Sequence, residues 1–154
     1  MATLEELETN AETQKHIDNV RRFLRIVVVM LLERGEKHDK SKLEPPELEV
    51  FAEYTPKLAR MTYNSDEYKQ CLEQMKPALD HHYAHNNHHP EHFPDGIDGM
   101  NLIDIVEMFC DWKAATLRHN DGNILHSIDT NTKRFHISPH MASIFKNTAK
   151  LFEE

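Results

Sequence analysis

Six of the twelve histidines in this chain fall within one short stretch, as His81, His82, His85, His88, His89 and His92. Neutral imidazole is the commonest side-chain ligand for transition metals, and two rings a turn or two apart converge on one ion at ~2.0 to 2.1 Å. On a helix, His82 and His89 are seven residues apart and share a face, while His81, His85 and His88 line a neighbouring one. A solvated histidine-rich helix end would have the same composition. What separates the two readings is whether acids are available to share the ion.

Such acids lie further along. From Leu102 to Trp112 the sequence is apolar nearly all the way round a helix, leaving Asp104, Glu107 and Asp111 as its polar positions. They stand at i, i+3 and i+7, hence on one stripe. A buried, unpaired carboxylate is costly, so a helix this apolar must turn its acids to water, to cations or to a metal. A third segment supplies the adjacent pair His38-Asp39, followed by Lys40, Ser41 and Lys42.

Taken in order, His16, His38-Asp39, His82, His88-His89 and Asp111 resemble the HD superfamily of metal-dependent phosphohydrolases, an all-helical family named for its adjacent His-Asp ligands. His16 with Val20 four residues later looks like the first-helix histidine. His38 to Lys42 is similar to the His-Asp-x-Gly-Lys form of two-metal members, with Ser41 at the glycine. His88-His89-Pro90-Glu91 before Asp95-Gly96 looks like the paired histidines of cyclic-dinucleotide phosphodiesterases. Pro90 interrupts that motif and its closing Gly-Tyr-Pro is missing, so the cyclic-dinucleotide specificity does not carry over. More narrowly, the whole chain resembles a group of small phage and bacterial proteins with HDxSK, HHPE and CDW elements, a group that brings no particular activity with it.

The resemblance implies a compact HD-like helical bundle, one domain over residues 1–154, with His38, Asp39, His82, His89 and Asp111 as metal ligands. One or two divalent ions (Mn, Fe, Co, Zn or Mg) would activate water against a small-molecule phosphate ester, a nucleotide above all. Asp39 would bridge and Asp111 would close the far side. Lys42, with Lys113 as a weaker candidate, would neutralise charge on the phosphate, and His88 or Glu91 would protonate the leaving group or hold a ligand. Two rival readings stand on the same residues. One is an HD-fold diiron oxygenase, and the other is a non-catalytic module whose metal ties the bundle together or whose scaffold binds a nucleotide or protein.

The elements that must position these residues read as helices. Only four glycines are present, and apolar residues recur three and four apart. A first helix starting at Asn10 or Thr13 carries Ile17, Val20, Phe23, Leu24, Val27 and Leu31, with Gly35 as its cap; the Val27-Val28-Val29 triplet alone would suit a strand. Unbroken, that helix would set His16 ~33 Å from His38. Ligation by His16 therefore requires a break near Arg25 or donation to a partner subunit's site, and otherwise His16 is structural. Pro45-Pro46-Glu47 opens a short helix to about Tyr54. Asn64 to Glu67 cap the next, which runs to about Asn87 with a bend at Pro77. Pro90, Pro94, Gly96 and Gly99 mark a loop. Asn101 with Asp104 starts the acid-bearing helix, expected to reach about His119 before Asp121-Gly122. Ser138-Pro139 begins the last, with Ile144, Phe145, Thr148, Leu151 and Phe152 inward.

Composition limits the partners. With 26 acidic and 18 basic side chains the net charge is −8, which disfavours nonspecific attachment to nucleic acid or anionic lipid. The longest apolar run, Ile26 to Leu32, is far short of the ~20 residues of a membrane span. Cys71 and Cys110 form no disulfide framework, and the acidic start has no secretion signal, so a cytoplasmic location is expected. The long amphipathic first helix points to a homodimer.

Overall fold

The computed structural model describes residues 3–61, 65–118 and 122–152. It is all-α, with no strand among the described residues. Two compact units are present, residues 1–36 and 37–154.

The first unit is almost wholly α1, which runs unbroken over Leu4–Lys37. It begins earlier than Asn10 because Thr3 and Glu6 cap it reciprocally: the Thr3 amide donates to Glu6 Oε2 at 2.7 Å and the Glu6 amide to Thr3 Oγ1 at 3.2 Å. It passes through Gly35 instead of ending there. The valine triplet is helical, no break occurs near Arg25, and none of its residues is buried.

In the second unit a short 3₁₀ turn, Lys40–Leu43, leads to α2 (Glu47–Leu58) and α3 (Asp66–His85), which pack together. Ser65 caps α3, its side chain accepting from the Tyr68 amide at 3.2 Å. Asn64 lies outside the described residues. The buried residues of α3 are Cys71, Met75, Ala78 and His82, one stripe at i, i+4, i+7 and i+11. A histidine thus occupies the last position of an apolar face.

The Pro/Gly segment folds into two 3₁₀ turns, Pro90–His92 and Gly96–Gly99. Then α4 (Leu102–Thr116) starts on the expected box, where Asn101 Oδ1 accepts from the Ile103 and Asp104 amides and Asp104 Oδ2 accepts from the Asn101 amide. The helix ends three residues short of His119; His119 and Asp121 lie outside the described residues. Between Gly122 and Ser138, where the sequence pattern marks no element, α5 occupies Ile124–Arg134, capped by Asn123. The last helix, α6, is Pro139–Ala149.

The core lies where α4, α5 and α6 meet. Met108, Phe109 and Trp112 from α4 close on Ile128 and Phe145, the Phe109 and Phe145 rings stacking with centroids 5.6 Å apart and Trp112 meeting Phe145 edge-on at 5.4 Å. The inner side of α6 is Phe145 with Ala149; Ile144, Leu151 and Phe152, expected inside, are exposed. Because α4 commits Ile105, Met108, Phe109 and Trp112 to this core, its acids are left for its other side. Phe145→Ala should lower the melting temperature of the metal-free protein by about 10 °C, the expected effect of an aromatic-sized cavity. Thermal circular dichroism checks it.

Candidate metal centre

The chain leaves α1 and turns sharply at Asp39, which adopts the left-handed conformation with φ 56°. Aspartate tolerates this region better than most residues, at a modest cost. Neighbours on a helix point about 100° apart, but here both side chains share one site, with His38 Nε2 3.6 Å from Asp39 Oδ2.

The end of α3 and the loop after it bring the imidazoles. His82 Nε2 lies 3.0 Å from His89 Nε2 and 3.3 Å from Asp39 Oδ1, and His88 Nε2 lies 3.5 Å from that same oxygen. α3 stops at His85, so His82 and His89 meet because the chain folds back, not because seven helical residues separate them. Asp111, on α4, places Oδ1 3.6 Å from His38 Nε2. Two ligands each ~2.1 Å from one ion at the tetrahedral angle are ~3.4 Å apart, and the gaps found here cluster about that value.

Two carboxylates hold the outer edges of the rings. Glu47, fully buried, accepts from His82 Nδ1 at 2.9 Å, from His81 Nδ1 at 2.7 Å and from Ser41 Oγ at 3.0 Å. Glu107 Oε1 lies 2.9 Å from His38 Nδ1 and 3.1 Å from His88 Nδ1. A carboxylate at Nδ1 fixes the proton there, which leaves the Nε2 lone pair of a neutral ring facing inward. His88 Nε2 and Asp39 Oδ1, both buried, have no hydrogen-bond partner. Such atoms are rare unless a ligand or ion completes them.

The local charges respond to one another. Asp111 and Glu107 beside His38 push its pKa up to about 10. His89 is pushed down to about 3, by burial first and then by the other histidines. Burial works against the carboxylates of Asp39, Asp111 and Glu47, but their polar partners outweigh it: His82 and Lys42 hold Asp39 well below its usual range, His38 lowers Asp111, and bonds from His81, Ser41 and His82 lower Glu47.

Three ligand groups are therefore close enough to hold a metal ion, namely Asp39 with His82, His88 and His89; His38 with Asp39 and Asp111; and His38 with His88 and Glu107. All five expected ligands, His38, Asp39, His82, His89 and Asp111, come together. His88, expected to act on a leaving group or to hold a ligand, stands within the group of residues close enough to hold an ion. Lys42 Nζ is 2.7 Å from Asp39 Oδ2. Glu91 instead accepts from Arg134 at 2.7 Å. His16 is exposed on α1. Glu47 carried no signal beyond following two prolines, whereas Glu107 was legible as an acid one turn before Asp111.

An all-helical chain with a histidine and carboxylate cluster fit for a metal ion is the class that this geometry defines. The chain belongs to a family of unknown function, DUF5662, whose model matches residues 5–153. No curated protein and no solved structure matches it. Among the described residues, no helix is long and apolar enough to cross a membrane.

Asp39→Ala and Asp111→Ala should each lose metal on elemental analysis, while His140→Ala retains it. A second expectation concerns protons. His38 carries one at neutral pH, below its raised pKa, and must shed it before Nε2 can bind a cation; His89 is already neutral there. Filling the His38, Asp39 and Asp111 group should therefore release a proton near pH 7, and affinity should climb as pH rises towards 10. Calorimetric titration in two buffers of different ionisation enthalpy measures that release.

Proposed function

We propose that this protein is a metal-dependent phosphohydrolase acting on a small phosphate ester, with nucleotides the first substrates to test. The observation that carries the reading is the convergence of the His82, His88 and His89 Nε2 atoms on Asp39, with two of those rings held from behind by Glu47 and Glu107. The order of motifs along the chain, which resembles the HD superfamily, gives the chemistry. A bound divalent ion, whether Mn, Fe, Co, Zn or Mg, supplies a Lewis acid for a phosphoryl oxygen and makes water nucleophilic near neutral pH.

The chain's own residues divide the remaining work. Asp39 turns Oδ1 towards His82 and His88 and Oδ2 towards His38, an arrangement suited to a carboxylate shared by two ions. His38 and Asp111 form the more exposed side of the site, at 27% each against 1% for His82 and His88, so substrate reaches that side. Lys42, part-exposed and paired with Asp39 Oδ2, is the cation placed to meet a phosphoryl oxygen. Glu91 is engaged by Arg134 and His88 by Glu107, so neither is assigned to leaving-group protonation.

The test is metal analysis of the purified protein followed by a screen of phosphomonoesters, nucleotides and cyclic dinucleotides with Mn, Co, Fe and Mg. Metal-dependent hydrolysis is expected, absent in Asp39→Asn and reduced about 10²-fold in kcat in Lys42→Ala. Oxygen uptake with ferrous iron and no ester hydrolysis would replace this reading with the oxygenase. Tight metal binding with neither activity would leave a structural site.

A further inference from the structure

The helix α1 presents large apolar side chains along its whole length without burying one of them. Ile17, Val20, Leu24, Val27 and Leu31 recur at alternating spacings of three and four, the pattern of a two-helix seam. Leu4, Leu7 and Ala11 carry the same alternation nearer the start, one residue out of phase, since Ala11 and Ile17 are six positions apart where an unbroken heptad has seven. Leu4 is 73% exposed and Leu24 59%. A helix gains most of its stability from packing such a face, and contiguous exposed apolar surface of this extent marks an interaction site.

Charge says what covers it. Glu5, Glu6, Glu8, Glu12 and Asp18 face only Lys15 in the first half, whereas five basic residues from Arg21 to Lys37 outnumber Glu33 and Glu36 in the second. Two copies side by side in the same direction would align acid with acid and base with base. Reversed, each acidic half lies along the other's basic half.

We propose that α1 is a self-association helix, pairing antiparallel with α1 of a second copy of this chain. The two-fold symmetry this creates is closed, so pairing stops at the dimer. Covering the seam and its flanks on both copies removes on the order of 1,200 Å² from water, the lower range for a specific interface. The proposal is independent of the metal centre.

The experiment uses the full chain. Sedimentation equilibrium at micromolar concentration should give the mass of a dimer, and the double variant Leu24→Glu, Val27→Glu should give a monomer of unchanged helical content. Orientation is read from a spin label at Glu8→Cys in a Cys110→Ser background. An antiparallel pair holds the two labels about 30 Å or more apart, from the rise of the helix, and a parallel pair under about 20 Å. A monomeric native chain, a double variant that still dimerises, or a short label distance would each overturn the proposal. If the double variant loses its fold, the native mass and the label distance decide it.

Discussion

Two carboxylates at the outer edges of the imidazoles, Glu47 and Glu107, determine which ring atoms the cluster turns inward. Each accepts from the Nδ1 side of a pair of imidazoles, and so each chooses which ring nitrogen faces inward. Without them His38, His82 and His88 would be free to turn Nδ1 or Nε2 to the cavity. With them, His82 and His88 turn Nε2 lone pairs inward beside the Asp39 carboxylate, so that part of the inner face is rich in acceptors. Such a surface is electrostatically unsatisfied until a cation sits in it. Lys42 and a protonated His38 bring positive charge beside it.

The fold serves this arrangement by making single elements do two tasks. α3, packed with α2, carries a buried stripe that ends on His82, a ring as fully buried as Met75 two turns earlier. α4 buries Met108, Phe109 and Trp112 against α5 and α6, so its opposite side, with Glu107 and Asp111, is set by the packing of the core. The left-handed turn at Asp39 completes the set by folding two consecutive side chains into one site. Strain at that residue is held in place by its pairing with Lys42 and its contact with His82.

The helical class was legible because apolar spacing and capping residues agree: Asn101 with Asp104, Ser65 and Ser138 all cap as their types predict. α5 was not, since Ile124 to Arg134 is short and mostly polar, and only Ile124 and Ile128 are buried in it. The residue types of the cluster were legible, but helical spacing does not account for the meeting of His82 with His89, which a loop after α3 brings about. Sequence order says nothing of where a ring points, so the approach of His88 Nε2 to Asp39 Oδ1 was not legible. Glu47 was invisible for a related reason: it serves residues 34 and 35 positions away, and only the packing of α2 on α3 makes them neighbours.

A crystal of the full chain grown with manganese or zinc, with diffraction recorded on both sides of the metal's absorption edge, tests the central claim most directly. An anomalous peak should lie ~2.0 to 2.2 Å from His82, His88 and His89 Nε2 and from Asp39 Oδ1. A peak elsewhere on the chain, or none between these four side chains at saturating metal, would contradict it.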